Sequence, residues 1–250
     1  MGFWPIVKRV IKDSDIVLII QDARMPEISR NSGAEKLAKQ HKTEILKVFT
    51  KRDLLSQKRI KELVKEYPSA VFVSGTKNIN ISLLKKKILI WAKRHKIEKP
   101  VVGILGYPNV GKSAITNVLS KAKKTSVSRI AGTTRGLQWV KAGSLRILDS
   151  PGVIPFEDSE MKLGILGAKN PEKLKKPQKV ALAVIKLLID ANKETLENYY
   201  KIKIEDGDEE YDVFLAIGKK RNFLLKKGEI DENRTTFQIL RDWQSGNIGN

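Results

Sequence analysis

Residues 106–113 read Gly-Tyr-Pro-Asn-Val-Gly-Lys-Ser, with two glycines separated by four residues and followed by Lys-Ser. The apolar run 101–105 before them predicts a buried strand, and residues 114–119 after them predict a helix. Between a strand and a helix, such glycines let successive backbone N–H groups face a phosphate, and the helix N-terminus adds positive potential. The alternative, a chance glycine-rich turn, does not account for the strand and helix on either side.

This pattern assigns roles to particular side chains. Lys112 is expected to reach the β- and γ-phosphates of a nucleoside triphosphate, and the Ser113 hydroxyl to ligate Mg²⁺. Asn109 is either a turn residue or a ligand for K⁺ held beside the phosphates. The predicted phosphate cradle consists of Asn109, Val110, Gly111, Lys112, Ser113 and Ala114.

Composition narrows the class of protein. The chain has 250 residues, 41% of them hydrophobic, which suits a globular core, and no apolar run near membrane-spanning length. Its first residues do not resemble a secretory signal, so we expect a cytoplasmic protein. There is no cysteine, which excludes disulfides, thiolate metal sites and cysteine catalysis. His41 and His95 lie in lysine-rich surroundings and are predicted to be surface residues.

The formal net charge is +20, which indicates a polyanionic partner such as RNA or the ribosome. A basic surface that only maintains solubility is the alternative, but the charge exceeds what solubility requires. The basic clusters at 173–179 and 219–221 are the predicted RNA contacts, and the alternative for each is a solvated face.

Apolar runs and helical periodicities alternate along most of the chain. Strands are predicted at 15–20, 45–50, 70–73, 101–105, 137–141 and 145–148, and helices at 6–12, 33–40, 57–67, 79–95 and 114–119. This alternation predicts an α/β fold with a mostly parallel sheet and helices on both faces. The basic stretch 121–136 is expected to be mobile. A small helical domain follows, with helices predicted at 177–202, 223–227 and 236–243.

Short polar motifs follow several predicted strands. Thr50-Lys51-Arg52-Asp53 resembles the guanine-specifying motif of GTPases, in which the Asp carboxylate accepts hydrogen bonds from the guanine ring N–H and exocyclic amine. The alternative for Asp53 is a helix N-cap. Ser74-Gly75-Thr76 resembles the second guanine motif, and Asp149-Ser150-Pro151-Gly152 resembles the Asp-x-x-Gly motif. Ligands of open parallel sheets gather where the strands end, so these motifs are expected to meet.

The motif resemblance implies further roles. Asp149 would hold Mg²⁺ through water, and the Gly152 N–H would sense the γ-phosphate. A threonine of Ala131-Gly132-Thr133-Thr134-Arg135 would complete the Mg²⁺ shell, and Thr134 is the predicted one.

The order of the motifs is unusual, because the guanine motifs precede the phosphate loop. Joining the original termini of a domain and opening it elsewhere preserves every spatial contact. The chain resembles the circularly permuted GTPases of the YlqF/RbgA ribosome-assembly family. The resemblance extends to Asp22-Ala23-Arg24-x-Pro26, to Gln138–Lys141 and to residues 218–221 and 231–250.

This resemblance implies a circularly permuted P-loop GTPase domain at 1–168 and a helical RNA- and ribosome-contacting domain at 169–250. It implies GTP/GDP and Mg²⁺ as cofactors, slow hydrolysis, and action on the large ribosomal subunit and its rRNA. A monomer without membrane contact is expected. Alternatives are an RNA-binding scaffold that binds guanine nucleotide with little turnover, and a P-loop ATPase or kinase, against which the Asp53 motif argues.

Three departures from the family pattern affect the expected chemistry. Thr50 occupies the usual Asn position, where its hydroxyl can bridge loops but not reach guanine, so we expect weaker affinity. Val153 follows Gly152 and cannot orient the attacking water, so intrinsic hydrolysis should be slow. The region around Phe3-Trp4-Pro5 has no histidine, so the family's assisting histidine cannot be assigned.

Overall fold

The computed structural model describes residues 3–120, 137–152, 154–155 and 158–248. Thr134, Val153 and the stretch predicted to be mobile, 121–136, lie outside the described residues. The chain forms two compact units, Met1–Glu157 and Asp158–Asn250. The division therefore falls before residue 168, and residues 158–168 group with the second unit.

The first unit contains a six-stranded sheet among its described residues, in the order β3-β2-β1-β4-β6-β5. All neighbouring pairs are parallel except β5 and β6, which form an antiparallel hairpin. This confirms the predicted mostly parallel α/β sheet. The strands are β1 (Ile16–Asp22), β2 (Glu44–Thr50), β3 (Val71–Phe72), β4 (Val101–Leu105), β5 (Gln138–Ala142) and β6 (Leu145–Asp149).

Helices in this unit connect the parallel strands. β1 and β4 are buried along their whole length, as expected for central strands covered on both faces. Apolar residues of the first helix, Val7, Val10 and Ile11, pack into the core beside β1. The helices are α1 (Phe3–Lys12), α2 (Ser32–Gln40), α3 (Gln57–Glu66), α4 (Ile81–Arg94) and α5 (Lys112–Ser120), with a 3₁₀ turn at Arg52–Leu54.

The sheet brings the motif loops to one edge. β2, β1 and β4 lie side by side, with Asp22 paired in register with Thr50 and Ile19 with Leu105. β6 lies next to β4 on the other side. Because parallel strands end at the same edge, the loops after β2, β3, β4 and β6 all begin there.

The second unit is helical, as predicted. Its helices are α6 (Glu160–Ile165), α7 (Pro177–Tyr200), α8 (Glu210–Lys220) and α9 (Glu232–Ser245), with a 3₁₀ turn at Pro171–Lys173. α7 is interrupted at Asn192, whose backbone is extended. The buried Trp243 donates from Nε1 to the Ile165 carbonyl at 2.7 Å, which ties α9 to α6. Among the described residues of both units, no helix is long and apolar enough to cross a membrane.

The predicted helix at 223–227 is wrong. Leu224 and Ile230 form an antiparallel bridge, and the Leu225 N–H donates to Glu229 O at 2.8 Å. Gly228 has a φ of 80°, which turns the chain back after Lys227. A tight turn thus occupies a stretch whose apolar residues suggested a helix.

Candidate guanine-nucleotide site

The phosphate loop joins β4 to α5. Gly106 has a φ of 156° and Gly111 a φ of 102°, both in the region that favours glycine. Asn109 is exposed and has a φ of 61°, a conformation that asparagine tolerates well in turns. This backbone accounts for asparagine at 109 without an ion, and the K⁺ role stays a prediction.

Lys112 is the first residue of α5 and is buried within the loop. Its Nζ donates to the Tyr107 carbonyl at 2.6 Å, so the side chain folds back over the loop. Burial lowers the pKa of Lys112 to about 8, while the nearby charge of Asp149 opposes the shift. A phosphate group would favour the charged form, because opposite charges at short range do so.

Asp149 ends β6 beside this loop. Its Oδ2 accepts a hydrogen bond from Thr116 Oγ1 at 3.0 Å, whereas its Oδ1 is buried with no hydrogen-bond partner. Burial raises the pKa of Asp149, and the Thr116 hydroxyl and the Lys112 charge act in the opposite direction. A buried carboxylate oxygen without a partner suits a cation or its bound water.

Mg²⁺ fits this group of residues. Ser113, the second residue of α5, is exposed and supplies a hydroxyl, and Asp149 supplies the buried oxygen. Among the described residues no three acidic or histidine side chains could hold a metal together. Mg²⁺ would therefore need phosphate oxygens and water as further ligands, the coordination that it prefers in nucleotide sites. Thr134, predicted as another ligand, is not among the described residues.

Thr50 links the first guanine motif to the phosphate loop. It is buried, and its hydroxyl bonds to the Gln21 carbonyl at 2.9 Å and to the Val110 carbonyl. Its side-chain carbons also lie beside Gly111, where an added Cβ would be 3.3 Å from Thr50 Cβ. The expectation that a threonine here can bridge loops is therefore met.

Lys51 and Asp53 follow on the same loop. Lys51 has a left-handed backbone with a φ of 57°, and its Nζ lies 2.8 Å from Asp22 Oδ2. Asp53 is half-buried within the 3₁₀ turn. Burial lowers the pKa of Lys51, and the charges of Asp22 and, to a smaller extent, Asp53 oppose this shift. The two motif side chains are thus close enough to interact electrostatically.

The second guanine motif lies directly against α5. A Cβ added to Gly75 would be 2.8 Å from Ala114 Cβ, so the two backbones can approach only because residue 75 is glycine. Ser74 is buried, and its Oγ accepts from the Lys77 N–H at 3.0 Å and lies 3.2 Å from Thr76 Oγ1. Ser74 thus stabilises the loop from inside, whereas Gly75 is half-buried and Thr76 is exposed.

Gly152 also contacts the phosphate loop. A Cβ added there would lie 2.6 Å from Pro108 Cγ and 2.7 Å from the Pro108 backbone N and Cα. The preceding Ser150 donates from Oγ to the Ile104 carbonyl at 2.6 Å, which anchors this segment to β4. The Asp-x-x-Gly backbone is therefore held beside the loop that would carry the phosphates.

Sequence reasoning missed three residues that support the site. Asp22 holds Lys51, Thr116 holds Asp149, and Pro108 packs against Gly152. In the sequence, Asp22 stands out only as part of a loop that resembles the family's. Its pairing with Lys51 depends on the register of β1 with β2. The only sequence signal for Thr116 was its spacing, three residues after Ser113 on the same helix.

Comparison with known proteins agrees with this geometry. Residues 101–219 match the family model described as 50S ribosome-binding GTPase. The match begins at β4, which leaves the strands bearing both guanine motifs ahead of it. Residues 101–219 are therefore similar to part of a GTPase domain, and the motif order of the whole chain resembles that of the YlqF/RbgA circularly permuted GTPases. A circular permutation of such a domain accounts for both the motif order and the sheet order.

Two solved structures share the fold of this chain. GDP-bound YlqF of Thermotoga maritima superposes with a TM-score of 0.66 at 21% identity, covering 98% of this chain and 96% of the other. The GNP-bound form of T. maritima YlqF gives a TM-score of 0.59 at 22% identity, covering 97% and 94%. At these identities the likeness establishes the fold.

Two curated relatives are more similar in sequence. An uncharacterized GTP-binding protein of Methanocaldococcus jannaschii is 35% identical over 246 residues, covering 97% of this chain and 65% of the relative. Nucleolar GTP-binding protein 2 of Saccharomyces cerevisiae is 32% identical, covering 98% of this chain and 52% of the relative. The chain therefore spans between half and two thirds of the length of these relatives.

Proposed function

We propose that this protein binds GTP and GDP and hydrolyses GTP slowly, as a switch in maturation of the large ribosomal subunit. The observation that carries the proposal is the contact of both guanine motifs with the phosphate loop. Thr50 bonds to the Val110 carbonyl, and Gly75 abuts Ala114. These contacts support one cleft in which Asp53 faces the base and Lys112 the phosphates.

Each residue of this cleft has a separate role in hydrolysis. Charged Lys112 neutralises the β- and γ-phosphates, and the backbone of the loop and of α5 donates to their oxygens. Ser113 and Asp149 would hold Mg²⁺, which when bound would offset the charge on the phosphate oxygens. Gly152 offers its N–H to the γ-phosphate. Thr134 would be a further Mg²⁺ ligand in the triphosphate state.

Hydrolysis is expected to be slow because the residue after Gly152 has no side chain that can orient the attacking water. Residue 153 is valine, which cannot orient water, so the orienting group comes from a partner or a bound ion. K⁺ near Asn109 would supply the positive charge that other enzymes take from an arginine. We therefore expect stimulation of hydrolysis both by the ribosome and by K⁺.

The charge distribution supports an RNA partner. A cavity of about 640 Å³ lies at the amino-terminal ends of β4 and β6, opposite the motif loops, and its described lining includes Lys99, Lys141 and Arg146 but no acidic residue. Trp139 lines the same cavity, so a base could stack near three cations. In the second unit, Lys175, Lys176 and Lys179 line a smaller cavity together with one acidic residue, Glu232.

The names of similar proteins support a ribosomal role. The matching family model is described as ribosome-binding, and the yeast relative is named for the nucleolus. By analogy, the partner of this chain is the large subunit with its rRNA. Action as a monomer in the cytoplasm is part of the same proposal.

One experiment tests the function directly. GTP turnover is measured with and without isolated large ribosomal subunits, in K⁺ and in Na⁺. The proposal expects slow turnover alone and at least about tenfold stimulation by subunits in K⁺, equivalent to about 1.4 kcal/mol of barrier. Tight guanine nucleotide binding without stimulated turnover would instead favour the scaffold function.

A further inference from the structure

Asp22 is a buried carboxylate at the centre of the sheet edge that carries the motif loops. Its strand, β1, lies between β2, which leads to Lys51, and β4, which leads to the phosphate loop. The side chain of Asp22 is 1% exposed, as is that of Arg24. A carboxylate so deeply buried is found only where its charge is matched by partners.

Every acceptor position of this carboxylate is used. Oδ1 accepts from the Arg24 backbone N–H at 3.0 Å and from Arg24 Nε at 3.2 Å. Oδ2 accepts from Arg24 Nη2 at 2.9 Å and lies 2.8 Å from Lys51 Nζ. The Asp22 N–H donates to Ser29 Oγ at 3.0 Å, which fixes the backbone as well. Arg24 thus binds both oxygens of the carboxylate, and Lys51 occupies the remaining acceptor position, on Oδ2.

This arrangement directs the Lys51 side chain. Because β2 is next to β1, a lysine after β2 that pairs with Asp22 must extend toward the end of β1, the side on which the phosphate-loop strand β4 lies. Its stem therefore points from the first guanine motif toward the side of the sheet edge that carries the phosphate loop. The Lys51 side chain is 21% exposed, so part of it remains available to a ligand.

The charges keep this geometry stable near neutral pH. Burial alone would raise the pKa of Asp22, but the charges and hydrogen bonds of Arg24 and Lys51 hold it below its ordinary value. The carboxylate is therefore ionised at neutral pH and remains available to pair with Lys51.

We propose that Asp22, clamped by Arg24, is the positioning residue for Lys51, so that the lysine stem forms the surface on which the nucleotide base and ribose rest. Asp22 itself does not touch the nucleotide. Asp22 contributes to nucleotide affinity only by positioning Lys51, and this contribution is the same for any purine base. Asp53, in contrast, distinguishes guanine from other bases. The proposal rests on the guanine-nucleotide function proposed above.

The test is a double-mutant cycle on the full chain with Asp22→Asn and Lys51→Met, the latter keeping an unbranched stem without charge. GDP and inosine diphosphate are the probes, and binding is measured by calorimetry. We expect each single variant to bind both nucleotides roughly tenfold more weakly, and the double variant to bind no more weakly than Lys51→Met alone. The ratio of GDP to inosine diphosphate affinity should stay as in the unmodified chain.

Asp53→Asn is the matched control, because inosine lacks the exocyclic amine that Asp53 would bind. It should lose the preference for GDP over inosine diphosphate. If Asp22→Asn does not fold, Asp22→Glu replaces it in the cycle, since it keeps the charge and shifts the carboxylate by one methylene.

Two results would overturn the proposal: a folded Asp22 variant with unchanged affinity, or losses that multiply in the double variant. Failure of the nucleotide function itself would look different. In that case the unmodified chain would bind GDP no better than ADP.

Discussion

The backbone of Gly75 lies so close to Ala114 that a Cβ atom at residue 75 would be 2.8 Å from the alanine Cβ. Gly75→Ala should therefore separate the second guanine motif from α5. We expect GDP binding at least fivefold weaker and a free energy of unfolding lower by about 1–3 kcal/mol, the usual range for overpacking. Calorimetry and urea unfolding measure the two effects.

Ala114→Gly provides the control for this clash, because it removes the atom that the new Cβ meets. Gly75→Ala should lower affinity less in the Ala114→Gly background than in the unmodified chain. Equal losses in both backgrounds would show that the contact does not determine the site.

Thr116 is expected to set the magnesium affinity through Asp149. Thr116→Val removes the hydroxyl that bonds Oδ2 and frees the carboxylate to rotate, whereas Thr116→Ser keeps the hydroxyl. We expect Thr116→Val to raise the Mg²⁺ concentration for half-maximal GTP-analogue binding by roughly fivefold, about the value of one hydrogen bond. GDP affinity in EDTA should not change in either variant. The prediction fails if valine and serine at 116 behave alike in the Mg²⁺ titration.

Gly152→Ala should impair hydrolysis. The new Cβ would fall 2.7 Å from backbone atoms of Pro108, which cannot move without shifting the phosphate loop. We expect ribosome-stimulated GTP turnover to fall by at least about tenfold. Gly143→Ala is the matched control in the β5–β6 turn, where a Cβ meets nothing within 4 Å and only its φ of 68° is unfavourable. Turnover in Gly143→Ala should be normal, and similar turnover in both variants would contradict the role of Gly152.

Nucleotide affinity should depend on pH through Lys112, whose pKa burial lowers to about 8. The free protein holds the charged lysine below this value and loses the proton above it, so GDP affinity should decline as pH rises from 7 to 9. The same pKa shift makes the free energy of unfolding change with pH in the opposite direction to GDP affinity. The unfolded chain keeps its proton up to an ordinary lysine pKa, so the Lys112 contribution to stability becomes more favourable as pH rises above 8.

GMP, which has no β-phosphate for Lys112, is the control ligand for this titration. Its affinity should vary much less over the same pH range. A GDP affinity that stays constant from pH 7 to 9 would exclude an important role for the charged lysine.

Much of the site was predictable because each motif is a short run with its own local chemistry. The phosphate loop is recognised from residues 106–113 alone, and apolar runs before the motifs place them at strand ends. The contacts between motifs were not predictable in detail. Asp22 and Lys51 meet because β1 and β2 pair in register, and Thr116 meets Asp149 because α5 packs near β6. Such pairings depend on tertiary packing rather than on local sequence.

The helical unit shows where local patterns mislead. Within the predicted helix 223–227, residues 223–225 are apolar, but Gly228 allows a left-handed turn that closes a small hairpin instead. The acidic run 205–212 leads into α8. In the structure, Glu209 and Asp212 form a capping box at the start of that helix.

The central claim is that Asp53 and Lys112 border one cleft that holds a guanine nucleotide. Competition binding of GDP, ADP and xanthosine diphosphate to the unmodified chain and to Asp53→Asn tests it most directly. We predict that the unmodified chain prefers GDP at least about a hundredfold, because unpaired polar groups penalise the wrong base. Asp53→Asn should transfer the preference to xanthosine diphosphate, whose carbonyl can accept from the new amide. ADP competing as well as GDP, or unchanged GDP affinity in Asp53→Asn, would contradict the claim.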